Sequence, residues 1–355
     1  MSLIFMEGFD YFPDANAQDI EYDLNKFHPV QDLIFDIESR PGRDGGYSIK
    51  HDTTDTFDWV WFYPPGGEEN DTWYAGFHIY AQGSINGNSP FFRLQQTGEV
   101  SFDDTIRMKF NASSGIDLRD WNGSLLVAST NNIISVNTWH HVELKAVSDQ
   151  SAGEVELKVD GTTVATANTL NTDRNGDGKW ASAILSPIGN VLHNVIFDNL
   201  YICNDQGSTN NDFLGECFVR TLAPTSDAGT NDGTPASGND HYEMVNYRWE
   251  PGTSNYITLN TDGDKEMFGF ESLSDTANNF GLCLASVMKR STANPIKINQ
   301  VFKSGSSETS LNSVSVPPSN RFGVQHIIET NPDTSDLWTY SEINSGEFGF
   351  EIESP

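Results

Sequence analysis

The run from Asn137 to Val147 reads NTWHHVELKAV and sets two histidines, His140 and His141, side by side. An adjacent imidazole pair suggests a metal site or a proton relay, and either requires both rings to reach one point. The residues that follow argue against it. Along a β-strand successive side chains face opposite ways, so Trp139, His141, Glu143 and Lys145 share one face and His140, Val142, Leu144 and Ala146 the other. A second run, Gly153 to Val164 (GEVELKVDGTTV), repeats the alternation, with Val155, Leu157 and Val159 inward and Glu156 and Lys158 outward. Asp160 and Gly161 then supply a hairpin turn of the Asp-Gly type. Diverging histidines do not chelate one ion together. The pattern is architectural, one face of a sandwich.

Thr172 to Trp180, TDRNGDGKW, is the sharpest motif for a cation. Asp173, Asn175 and Asp177 with Gly178 match the first half of a calcium loop, where alternate oxygens converge on one ion. The second half departs from it, because position twelve is Ile184 where a Glu belongs. An Asp- and Gly-rich turn is the competing reading, and calcium is the one cofactor the sequence suggests. Asp58 to Gly67, DWVWFYPPGG, places Trp59, Trp61 and Tyr63 on one face of a strand and Val60 and Phe62 on the other. Two apolar faces predict a strand between layers; its aromatic face is either core or a stacking platform for sugar rings or a subunit. Asn260 to Lys265, NTDGDK, reads as an exposed turn, and no Gly-x-Ser-x-Gly nucleophile elbow occurs.

The elements that must position these residues are strands. Helical periodicity is scarce, while short β-branched and aromatic runs recur between clusters of Gly, Asn, Asp, Ser and Pro. Examples are TWYAGFHIYAQG (Thr72 to Gly83), FFRLQQTG (Phe91 to Gly98), IRMKFNA (Ile106 to Ala112) and NVIFDNLYIC (Asn194 to Cys203). After them comes soft material, NDQGSTNNDFLGE and later APTSDAGTNDGTPASGNDH, before strands resume. The expectation is an all-β chain of two tandem antiparallel β-sandwich domains, residues 1–205 and 206–355. Thr339 to Gly346, TYSEINSG, predicts one short helical turn.

Composition bounds the function. The chain has 355 residues, 37% hydrophobic and 12% aromatic, enough for two cores. Fifty Asp and Glu against 20 Lys and Arg give a formal net charge of −30. Such a surface repels phosphate backbones and anionic bilayers, so neither nucleic acid nor membrane is an expected partner. The opening MSLIFMEGFDYF has no basic region ahead of its apolar residues and reads as a first strand, which predicts folding in a cytoplasm. Cys203, Cys217 and Cys283 are too few for a disulfide scaffold; Cys203 and Cys217 flank a polar loop and would pair only if oxidised.

Two resemblances follow from these residues. TWHHVELKAV with GEVELKVDGTTV resembles the Trp-His-His and Val-Asp-Gly hairpin of laminin-G-like, concanavalin A-like jelly rolls, over residues 5 to 205. That fold hosts lectins and glucanases as well as adhesion modules, and its calcium sites lie in rim loops. Laminarinase-type members carry Glu-x-Asp-x-Glu or Glu-x-Asp-x-x-Glu on one strand. The closest approach here is EYDLNK at Glu21, where the second Glu is missing. The segments LIFMEGFDYF, FDNLYICNDQGSTNNDFLGECFVRTLAPTSDAGTND and NPDTSDLWTYSEINSGEFGFEIE together resemble a family of bacteriophage virion proteins. That second resemblance implies a non-enzymatic structural component of a tailed phage particle (tail, baseplate or fibre), assembled in the host cytoplasm. Its partners would be other virion proteins, copies of itself in a homo-oligomer, and a host surface glycan. The alternatives are a capsid decoration protein, a free lectin-like module, or a carbohydrase with a differently spaced carboxylate pair.

Overall fold

In the computed structural model the described residues are 2–10, 37–43, 46–51, 60–64, 67, 69–83, 85, 90–97, 105–174, 176, 178–185, 195–246, 254–274, 278–291, 294–311, 313–318 and 322–353. The chain divides into two compact units, residues 1–220 and 221–355. The division falls after Arg220 rather than at 205, because residues 206–220 pack on the first unit through the contacts given below.

Among its described residues the first unit is an antiparallel two-layer sandwich of fourteen strands. In chain order these are β1 (Leu3–Glu7), β2 (Ile37–Pro41), β3 (Tyr47–His51), β4 (Val60–Phe62) and β5 (Thr72–Ala81). Then come β6 (Pro90–Gln96), β7 (Thr105–Phe110), β8 (Ile116–Arg119), β9 (Leu125–Ala128) and β10 (Trp139–Val147). The last four are β11 (Gly153–Val159), β12 (Thr162–Leu170), β13 (Trp180–Leu185) and β14 (Val195–Asn204). One sheet has the order β12-β11-β10-β5-β14-β3-β2, with β1 also paired to β14. The other has the order β4-β13-β6-β7-β8-β9. Alternation decides what lies between them. Trp73, Ala75, Phe77 and Ile79 of β5, Val142, Leu144 and Ala146 of β10, and Phe92 and Leu94 of β6 are all fully buried in one core. Each large side chain so buried contributes about 1.5–3 kcal/mol.

The Asp-Gly hairpin forms as expected. Val159 pairs with Thr162, and the two residues between them, Asp160 (φ 49) and Gly161 (φ 74), both take the positive φ of a type I′ turn. β4 is the edge of its sheet, and Phe62 points inward against Phe5 and Phe9.

The second unit is also β. Its main sheet joins β15 (Pro224–Asn231), β18 (Lys265–Phe270), β24 (Glu347–Glu353), β20 (Lys297–Ser304) and β21 (Ser307–Ser310), with β22 (Val314–Ser315) added to β20. β16 (Thr234–Pro235) pairs with β17 (Ile257–Thr258), and β19 (Leu282–Met288) pairs with β23 (Phe322–Ile328). The β19–β23 ribbon lies across the main sheet and is tied to it by Gln300 of β20, which has no solvent exposure. Its amide nitrogen donates to the Leu284 carbonyl (3.0 Å) and to Ser286 Oγ (2.8 Å), and its oxygen lies 2.6 Å from His326 Nδ1. The helical turn is present as α1 (Tyr340–Ser345), closed by a capping box between Thr339 and Glu342.

Candidate functional site

The outer face of the larger sheet carries the chemistry of the first unit. Register pairs His141 with His78, Glu143 with Gly76 and Trp139 with Tyr80 across β10 and β5. On the other side of β5, Asp198 of β14 pairs with His78 and Tyr201 with Gly76. Three residues of β14 therefore span two of β5, a β-bulge, and inside it Asn199 takes φ 54. Without the extra residue Asp198 and Tyr201 would face opposite ways; with it both reach the outer face. Gly76 completes the arrangement, because a Cβ there would lie 2.1 Å from the Tyr201 ring. The missing side chain lets the phenol lie across β5 toward Glu143.

Outward alternation predicts solvent exposure, but His78 is 1% exposed, His141 3% and Glu143 1%. A strap formed by residues 206–220 lies over them. Phe213 packs edge-on to Tyr74 (centroids 5.2 Å apart), under the Lys158 ammonium at 3.8 Å. The Leu214 N–H donates to the Tyr201 hydroxyl (3.2 Å), which donates to Glu143 Oε1 (2.6 Å), and the Gly215 N–H donates to the same oxygen (2.9 Å). Glu216 pairs with Arg43, whose Nη1 lies 2.8 Å from His78 Nε2. Phe218 stacks on His78, centroids 5.9 Å apart and planes 1° from parallel. The Val219 N–H donates to Asn199 Oδ1 (2.8 Å), and Gly8 gives it room, since a Cβ there would meet the Val219 carbonyl oxygen at 2.3 Å.

Burial governs the electrostatics. It pulls His78 down to about 2, helped by His141 and Arg43, and it lowers His141 despite the nearby Glu143, Glu216 and Asp160. The Tyr201 phenol is pushed far up by burial first and then by Glu143. Cys217, in the strap, is raised to about 12 by burial, then by Glu143 and Glu216. Cys203, Cys217 and Cys283 form no disulfide.

His140 points away from this cluster, as alternation requires. Its Nε2 accepts from the Ser135 N–H (2.9 Å), so the proton sits on Nδ1 and faces Asp160 Oδ2 at 2.8 Å. It pins the hairpin turn. Of the calcium-loop residues, Asp173 is buried, and its Oδ1 accepts from the Gly176 N–H (2.9 Å) as part of the turn. Asn175 and Asp177 lie outside the described residues. No group of three or more His, Cys, Asp or Glu among the described residues is placed to hold a metal ion. Trp59 lies outside the described residues and so does the side chain of Trp61; Tyr63 is half-buried, and burial raises its phenol. No helix among the described residues is long and apolar enough to cross a membrane.

Beyond the strap the face changes character. Tyr80 and Trp139 stand one row past the histidines, both half-buried, with ring centroids 5.5 Å apart and planes at 54°.

No protein-family model and no curated protein matches the chain. Among solved structures it is similar to an alginate lyase from Chlorella virus at 11% identity, covering 53% of this chain and 98% of that one with a TM-score of 0.41. It is similar to the binding domain of Paraclostridial Mosquitocidal Protein 1 at 14% identity, covering 57% and 48% with a TM-score of 0.40. It is also similar to the lectin UEA-II complexed with galactose at 11% identity, covering 57% and 99% with a TM-score of 0.35.

Proposed function

We propose that this is a non-catalytic, lectin-like carbohydrate-binding protein that engages glycan on the outer face of the larger sheet of its first unit. The carrying observation is the Tyr80–Trp139 pair: two half-buried rings on adjacent strands, at the open end of a row of His, Glu and Arg side chains. An aromatic face takes the apolar face of a sugar ring. The acid–base groups of the same face support binding over catalysis. The Tyr201 hydroxyl is spent on Glu143, and burial moves both imidazoles and the phenol away from neutral pH, where a general acid or base works best.

The test is a glycan array probed with the full chain, followed by titration of any hit against wild type and Trp139→Ala. Saturable binding that weakens about 5- to 30-fold in the variant is expected, given that a lost stacking ring is worth roughly 1–2 kcal/mol. Absence of binding to every glycan at millimolar concentration overturns the reading.

The setting we propose for this activity is the virion of a tailed phage, where the chain meets other virion proteins and copies of itself. The support is the sequence resemblance carried by LIFMEGFDYF, FDNLYICNDQG and the closing NPDTSDLWTYSEINSGEFGFEIE. Immunogold labelling of intact particles tests it. Gold at the tail is the expected result; gold over the head makes the chain a decoration protein, and accessible particles without label refute the setting.

A further inference from the structure

The strap presents an unusual contact. Arg43 is a donor only, so the 2.8 Å approach of its Nη1 to His78 Nε2 requires that nitrogen to be an acceptor. His78 is then neutral with its proton on Nδ1, and that Nδ1 is a buried atom with no hydrogen-bond partner. Beside it, with ring centroids 4.9 Å apart, His141 has no partner on either ring nitrogen among the described residues. Its nearest carboxylate oxygen, Glu143 Oε2, is 3.9 Å away, beyond hydrogen-bond reach. Two side-by-side imidazoles with three orphaned nitrogens are costly to bury, and folding keeps them dry by one means, the strap overhead.

We propose that residues 206–220 are a strap released by acid, closed while His78 and His141 are neutral and opened when they take up protons. The proposal gives a form of regulation to the glycan-binding face and rests on that reading for its consequence; release itself involves no ligand. Every group facing the two rings enters the balance. Arg43 comes from the β2–β3 connection, Glu143 from β10 and Asp160 from the turn beyond β11. Asp198 and Tyr201 come from β14, and Glu216, Cys217, Phe218 and Arg220 from the strap. In the closed state a proton added to His78 goes to Nε2, displaces the Arg43 contact and sets imidazolium against guanidinium. A proton added to His141 finds no acceptor within hydrogen-bond distance. In the open state both rings are hydrated and bind protons at the ordinary imidazole value, so opening takes up as many as two protons.

The strap is built for such release. It contributes no strand to either sheet, and its hydrogen bonds to the rest of the unit include those of Gln206, Leu214, Gly215, Glu216 and Val219. It can lift without breaking a ladder bond.

The sign follows from the depressed imidazoles. Closure is fully favoured above about pH 6.5 and loses ground as pH falls below it; between about pH 7.5 and 4.5 the open fraction rises about 100-fold from His78 alone. Hydrogen–deuterium exchange on the full chain, without ligand, reads this directly after correction for the intrinsic pH dependence. Protection at Leu214, Gly215 and Val219 should fall by at least about that factor and stay well below that of the β10 and β11 amides, which report global unfolding. The variant His78→Gln/His141→Gln, whose amides do not titrate, should hold the strap closed at both values. Unchanged protection of the strap in wild type on acidification overturns the proposal. So does strap protection equal to that of the β10 and β11 amides at both values, which would make the strap part of the global unfolding unit. The wild-type measurement decides even where the double variant folds poorly, and a negative glycan array leaves it untouched.

Discussion

Tyr201→Phe removes one oxygen and reports on the whole outer face. That oxygen donates to Glu143 Oε1 at 2.6 Å and accepts from the Leu214 N–H at 3.2 Å. Glu143 is 1% exposed, so no water replaces the lost donor. A hydrogen bond to a buried charged group is worth about 1.5–3 kcal/mol, and the longer bond to Leu214 adds at most about 0.5. The ring keeps its packing over Gly76, so burial is unchanged and the expected loss is about 2–3 kcal/mol. For a unit of this size that corresponds to a fall in Tm of about 5–10 °C. Calorimetry on the full chain, with the first unit's transition identified by exchange of β10 and β11 amides, is the assay. The companion cycle pairs Tyr201→Phe with Glu143→Gln, and a coupling of about 1 kcal/mol or more is expected because the two groups bond directly. A Tm loss under about 2 °C, or additive single effects, would mean that the 2.6 Å contact contributes nothing, and the account of the buried face would fail with it.

Other perturbations reach different parts of the chain. Because burial depresses His78 to about 2 in the folded state, its contribution to first-unit stability is complete above about pH 6.5 and lost as pH falls toward that value. The slope is up to about 1.4 kcal/mol per pH unit, read by urea unfolding of wild type against His78→Gln. Gly76→Ala forces a Cβ to within 2.1 Å of the Tyr201 ring and should cost about 1–3 kcal/mol by thermal melt. Gln300→Leu strips four ties between β20 and the β19–β23 ribbon, to the Leu284 and Val324 carbonyls, Ser286 Oγ and His326 Nδ1. A loss of about 2–4 kcal/mol confined to the second unit is expected in exchange data. Thr339→Ala removes one half of the capping box ahead of α1 and should cost about 1 kcal/mol.

Much of the fold was legible because local rules and tertiary demands agree. Period-two alternation in WHHVELKAV sends His140 and His141 to opposite faces whatever packs on them, and Asp160-Gly161 admits few backbone conformations besides the turn it makes. Thr339 and Glu342 mark a helix start at three-residue spacing. What stayed hidden depends on contacts between distant residues. Alternation assigns a face but not its cover, so Glu143 and His141 read as solvent-facing although a segment some seventy residues later buries them. That segment, STNNDFLGEC, looks like linker because it is rich in Asn, Gly and Ser; its anchors Phe213, Glu216 and Phe218 are too few to give a period. The bulge at Asn199 was also illegible, and regular alternation through FDNLYIC places Asp198 and Tyr201 on opposite faces. An Asn within a strand run, tolerant of positive φ, was the available hint.

The strap also has a mechanical meaning. It ends at Arg220, and the second unit begins at Thr221. Tension carried along the chain from Thr221 passes Arg220, which stands over the Phe218 ring, and then reaches the Val219 hydrogen bond to Asn199. Next in line are the stacked Phe218 and the Glu216–Arg43 ion pair, then the amides of Gly215 and Leu214. Bonds loaded one after another yield at far lower force than ladder bonds loaded together. The chain would pay out some fifteen residues of slack, roughly 50 Å when extended, before the sheets of the first unit were loaded.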